Sequence, residues 1–205
     1  MKKKRISDIR RQELAEATLL TLQEHGFKGT TVQRVSERAG MSHGLVHHYF
    51  KTKTDMLEAA VRLTNARITI EVIRLLRQAS SPRERIAAVI EGNFAASVYS
   101  REITQAWASC CGEAAFNERF ARILRMIQRR LLSNLLWDLK RLLPAKEAVL
   151  VANGVAMMID GGWLKCALAT EPLSREEAME PIWHYLSVHL PQEQSPRSRK
   201  RRRAW

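Results

Sequence analysis

The stretch from Thr30 to Leu57, TTVQRVSERAGMSHGLVHHYFKTKTDML, constrains the fold more than any other part of the chain. Thr30 or Thr31 is a strong N-cap for a short helix that carries Val32 and Val35 on one side. That helix ends near Gly40, the residue type that most easily takes a left-handed backbone at a helix end. Ser42 then caps a second short helix over about 43–50. Two short helices joined by a tight turn containing glycine form the helix-turn-helix pattern. In that pattern the second helix enters the DNA major groove, led by its first residues. Here it is polar or small at Ser42, His43, Gly44, His47 and His48, while Leu45, Val46 and Phe50 are expected to hold it on its domain. Gln33 joins these residues near base edges or phosphates, and Thr31, Tyr49 and Lys53 fall where phosphates would run. His43 and His47 stand four apart, but no third ligand lies nearby, so neither a metal nor another cofactor is expected.

The flanks fill out an all-helical chain. A first helix over about 9–25, striped by Leu14, Ala17 and Leu20 or Leu22, ends at Gly26 and completes a three-helix head, with residues 1–8 as an arm. A long helix runs from Lys53 to about Leu76. Ser81, Pro82 and Glu84 mark the next start, leading through Phe94 to about Tyr99. A short helix through Trp107 follows, then a long one over 116–142 stopped by Pro144. Another covers 145–169, with Pro172 beyond it. The last opens on the Ser174–Glu177 capping box, is kinked at Pro181 and ends before Pro191. About nine helices and no strands result, divided into a head over 1–52, a body over 53–190 and a tail over 191–205.

The formal charge is +13, concentrated at the ends. The first eleven residues contribute five of these net charges and the last fifteen contribute five, leaving three for everything between. The basic ends read either as solvated tails or as non-specific attraction to DNA. No signal peptide and no apolar run of about 18 residues is evident, so no membrane span is expected. Three cysteines without an export signal fit free thiols in a reducing cytoplasm.

The Thr30–Leu57 stretch closely resembles the DNA-binding signature of the TetR family of bacterial repressors: the RAG turn, the small Gly44, the Tyr49–Phe50 pair and the Lys53–Leu57 spacing all match. It departs at His47, where many members carry a tyrosine that touches phosphate. The resemblance implies a repressor with a palindromic double-stranded DNA operator, a small-molecule effector bound in the body, and a homodimer paired through its last two helices. It also makes the helix after Lys53 the lever that moves on effector binding. The motifs GNF (Gly92–Phe94), AW (Ala106–Trp107), RRLLSNLL (Arg129–Leu136) and MMIDGGWLKCAL (Met157–Leu168) are similar to one branch, whose members repress glycine betaine synthesis and respond to choline.

A quaternary ammonium is held by aromatic faces, each worth roughly 0.5–2 kcal/mol. The resemblance thus implies a cage of Phe94, Tyr99, Trp107 and Trp163 with Asp160 as counter-charge. The competing reading puts the aromatics in the core and pairs Asp160 with Arg129 or Arg130. Cys110-Cys111 stands where that branch has an aromatic pair, so Cys111 joins the candidate effector residues. A different effector, including a thiol-reactive signal at these cysteines, is the alternative. No nucleophile–base pairing or phosphate-cradling loop supports an enzyme. A sequence-blind DNA binder using the basic ends is the remaining rival.

Overall fold

The computed structural model describes residues 2–171 and 173–191. Among them are nine α-helices and no strand: α1 Lys2–Gly29, α2 Val32–Ala39, α3 His43–Tyr49, α4 Lys53–Leu76, α5 Pro82–Asn93, α6 Arg101–Ala114, α7 Glu118–Leu139, α8 Ala145–Leu168 and α9 Arg175–His189. Pro172 and the basic tail over 192–205 lie outside the described residues. The expected arm over 1–8 is instead helical from Lys2 onward.

Local chemistry sets the head. Gly26, at φ 66°, breaks the helical path inside α1 and turns the chain toward Phe27. Thr31 accepts from the Arg34 N–H and opens α2. Gly40, at φ 61°, closes α2: its N–H reaches the Glu37 carbonyl while the Met41 N–H reaches that of Ser36. This paired closure satisfies carbonyls that would otherwise be orphaned. Ser42 accepts from the Leu45 N–H and opens α3. Thr52 and Asp55 form a reciprocal capping box at the start of α4. Leu14, Ala17, Val35, Val46, Phe50 and Met56 close the head core. Leu22, and not Leu20, faces inward, and Leu45 is 37% exposed rather than anchoring α3.

Two helices in the body end earlier than their periodicity predicts. α5 stops at Asn93 instead of continuing to Tyr99, because the Asn93 carbonyl accepts the Trp163 indole N–H at 3.0 Å. The chain then crosses through the buried Phe94 and Val98, and Ser100 caps α6. α7 begins after Asn117, leaving Phe116 92% exposed, and gives way at Leu139 to short-range turns before Pro144. The residue before a proline is pushed out of the α region, so the helix cannot run up to it. α9 passes through Pro181 as one helix. A buried ion pair ties α5 to α7: Asp138, 1% exposed, receives the Arg85 Nε at 3.0 Å and 3.2 Å.

By length and composition alone α8 is long and apolar enough to cross a membrane, where no such span is expected from the sequence. Its Val151, Ala152, Val155, Ile159, Trp163 and Cys166 instead lie in the largest apolar cluster of the body. The glycines of α8 differ in purpose. A Cβ at Gly154 would meet the Tyr185 hydroxyl of α9, and one at Gly162 would meet the Phe94 ring at 3.2 Å, whereas Gly161 faces open space. The closest approach is at Gly92, where a Cβ would lie 2.5 Å from Val72 Cγ2 and 2.9 Å from its Cα. The Gly92→Ala variant is therefore expected to lose about 1–3 kcal/mol by overpacking α4 against α5. Gly112→Ala, in open space within α6, should instead gain up to about 1 kcal/mol. Thermal unfolding of the two variants checks both signs.

Candidate DNA interface and effector cavity

The head presents its polar residues on helices α2 and α3. Thr31, Gln33, Ser42, His43, Gly44, His47 and His48 are all exposed. The hydroxyls of Thr31 and Ser42 are engaged as helix caps, and Gln33 donates to Glu37 at 3.0 Å. Nothing lies within 4 Å of where a Gly44 side chain would start, so a groove wall can approach that backbone. Tyr49 is half-buried, edge-on to His48 at 5.1 Å, and its carbonyl accepts from Arg11 at 3.5 Å. Lys53 is less free than expected of a phosphate contact. Its ammonium lies 5.2 Å from the centre of the Phe27 ring and donates to the Lys28 carbonyl at 3.1 Å. Burial pushes its pKa down, opposed by Glu113.

The body encloses a largely apolar cavity between α1, α4, α6, α7 and α8. Leu22, Val61, Asn65, Ile127 and Leu131 line it, and Trp107, Trp163, Cys110, Gln128 and Asp160 supply its aromatic and polar surface. The two indoles meet edge-on, with centroids 5.6 Å apart and planes at 67°, so they form a corner rather than a stack. The Trp163 N–H is committed to the Asn93 carbonyl, which fixes that ring.

Three of the predicted effector residues do not line this cavity. Phe94 is fully buried under Gly162, and Tyr99 sits between Phe94 and Trp163, donating its hydroxyl to the Gly162 carbonyl at 3.2 Å. Both buttress Trp163 from behind. Cys111 is not part of the lining, whereas its neighbour Cys110 is. Burial, with smaller contributions from nearby acids, pushes both thiols up to about 12. They are therefore protonated and poorly nucleophilic near neutrality, which weighs against a thiol-reactive signal.

Asp160 is the singular feature. Burial pushes its carboxyl above the usual carboxylate range, against a lowering hydrogen bond from Gln128. That bond comes from the neutral Gln128 amide. Neither arginine proposed as its partner reaches it: Arg130 donates to Thr69 at 3.1 Å, and among the described residues no ion pair involves Asp160. Gln128 is not legible as a site residue in the sequence, because its cavity neighbours come from other helices, and Cys110 enters the sequence reading only through the thiol-reactive alternative.

The comparisons agree with this architecture. Residues 14–60 match the family described as "Bacterial regulatory proteins, tetR family", and residues 82–191 match "BetI-type transcriptional repressor, C-terminal". The chain is 35% identical over 192 residues to the HTH-type transcriptional regulator BetI of Yersinia pestis (strain Pestoides F), covering 93% of this chain and 97% of that protein. Two solved structures share the fold. A TetR transcription regulator from Haloarcula marismortui ATCC 43049 aligns with a TM-score of 0.79 at 21% identity, over 90% of this chain and 100% of that one. A putative transcriptional regulator from Saccharomonospora viridis, solved in complex with choline, aligns with a TM-score of 0.78 at 16% identity, over 90% and 98% of the two chains. With a helix-turn-helix head, an all-helical body and these matches along nearly its whole length, the chain belongs to the TetR family of transcriptional regulators and is of the BetI type.

Proposed function

We propose that this repressor is released from its operator by choline or a closely related quaternary ammonium compound, held between Trp107, Trp163 and Asp160, and so controls betaine synthesis genes. One observation carries the reading: a carboxylate faces an apolar cavity beside two indoles and has no cation within the described residues to pair with. Burying a carboxylate without a counter-charge costs several kcal/mol, and a permanently charged ligand removes that cost where a neutral one does not. The indole corner adds aromatic faces of the kind that hold quaternary ammonium groups. The choline in the Saccharomonospora protein's complex is a property of that protein and lends the idea plausibility only through the shared fold.

TetR-family regulators act on DNA operators as dimers. We place the dimer contact on α8 and α9 and the operator contact on His43, Gly44, His47 and their neighbours, with a palindromic site read by two heads about one helical turn apart. Support for the dimer contact lies on the outer side of α8. Leu150, Met157 and Leu164 recur every seven residues, are exposed, and flank the open Gly161, with Val188 exposed on α9. A seven-residue apolar repeat is one helical face waiting for another helix. The head then spans 1–52, the body 53–190 and the basic tail 191–205. Such a repressor acts in the cytoplasm, where its DNA is.

Calorimetric titration with choline tests the effector. Wild-type protein is expected to bind, and Asp160→Asn to bind roughly ten- to a hundredfold more weakly. Absence of binding by the wild type would end the choline reading. Choline requires the ionised carboxylate, whose pKa is raised in the free protein. Affinity should therefore be full well above that pKa and fall as pH drops through it, with proton release on binding. The sign for stability is opposite. A raised folded-state pKa contributes stability that is lost as pH rises, so Asp160→Asn should unfold at a higher temperature than wild type near pH 8. That gain should fade in acid.

The dimer face is tested by Met157→Glu. Its solution mass is expected near the 23.5 kDa of one chain, with operator affinity lost at the same concentration. A mass unchanged from a dimeric wild type would place the contact elsewhere.

A further inference from the structure

We propose that Arg119 is a positioning residue for the DNA-binding head, through which the state of Asp160 is read along α7 at the first turn of α4. This rests on the assignment of the Asp160 cavity as the effector site.

Midway along α7, where the helix lines the cavity, the Gln128 amide donates to the Asp160 carboxylate. This is the acceptor a bound cation would take. Arg119 lies nine residues earlier on the same helix, about 13.5 Å along its axis. Its two terminal nitrogens divide between two carboxylates of α4: Nη1 reaches Asp55 at 2.7 Å and Nη2 reaches Glu58 at 2.5 Å. Asp55 is also the N3 partner of Thr52 in the capping box of α4. Its other oxygen accepts the Thr52 N–H at 2.9 Å, in the segment that joins the recognition helix to α4.

The next residue of α7 makes a second attachment. Phe120 is buried and meets Phe27 edge-on at 6.2 Å, and the Lys53 ammonium sits over Phe27. Two consecutive residues of α7 therefore hold the start of α4 and the end of α1 beyond Gly26. A shift of α7 must move both or break both. The guanidinium fork suits the first attachment, since an ammonium presents a point charge and cannot grip two carboxylates with fixed geometry.

α4 lines the cavity too, through Val61, Thr64 and Asn65, and offers a direct route to the head. What sets α7 apart is that its contact is to the group the effector would neutralise. Removing Arg119 leaves neither acid without a partner, since the Thr52 N–H still donates to the Asp55 carboxylate and Arg62 still holds Glu58 at 2.8 Å.

A double-mutant cycle on full-length protein tests this without any ligand. The readout is affinity for a duplex that the wild-type protein selects from a random pool. Gln128→Ala is expected to weaken binding roughly three- to tenfold in the wild-type background, within the usual range of coupling energies. In the Arg119→Ala background it should change binding less than about twofold. Arg119→Lys should fall between. Residues this far apart with no shared partner ordinarily act additively. Equal effects of Gln128→Ala in both backgrounds, or none in either, would overturn the proposal, as would Arg119→Ala acting only as a uniform loss of affinity. Choline calorimetry on the same samples decides the effector assignment independently: wild type failing to bind choline would sink that assignment, whereas additivity in the cycle sinks only the role of Arg119.

Discussion

Three apolar clusters share one helix, and the behaviour of the whole molecule follows from that. α4 puts Met56 into the core of the head, Leu57 and Val61 into the middle cluster with Phe120 and Cys110, and Val72 into the body core. A helix is stiff over this length, so its two ends cannot repack independently. The close approach of Gly92 to Val72 pins the far end against α5, while the Thr52–Asp55 box fixes the near end next to the recognition helix. Head and body are distinct in sequence but mechanically joined, as a ligand-controlled DNA-binding protein requires.

Two aspartates of the body, Asp138 and Asp160, show how differently one residue type can be used. Asp138 is sealed off and satisfied by Arg85, with Arg141 nearby, and its role is to tie α5 to α7. Asp160 has only a neutral amide as partner and lines the cavity. A protein selected for stability alone would pair or replace such a group. Retaining it fits a site completed from outside, with the aromatic residues around it already held in place. Phe94 and Tyr99 belong to that support: they fix the Trp163 ring and leave its cavity face clear.

Much of the head, and the start of α9 in the body, was legible residue by residue, because those boundaries are set by local chemistry. Thr31, Gly40, Ser42 and the Ser174–Glu177 box act within a few residues of themselves, and each performs the expected role. Where the reading missed, a distant group had intervened. The Trp163 indole takes the Asn93 carbonyl and cuts α5 short, though the local pattern continues to Tyr99. Leu45 has the right type for an anchor, yet its side of α3 faces outward. At the amino end, helix replaces the expected arm.

The sequence by itself determined the all-helical class, the helix-turn-helix, the family and the presence of an acid among aromatic residues, since caps, turns and periodicity are properties of neighbours along the chain. Only the tertiary structure decided which of those residues meet: that Trp107 and Trp163 form the cavity corner while Phe94 and Tyr99 stand behind it, that Cys110 faces in, that Gln128 rather than an arginine partners Asp160, and that Arg119 reaches across to α4. Side-chain contacts between helices depend on crossing angles and helix rotation. Those are set by the packing of the whole core, and no short stretch of sequence contains them.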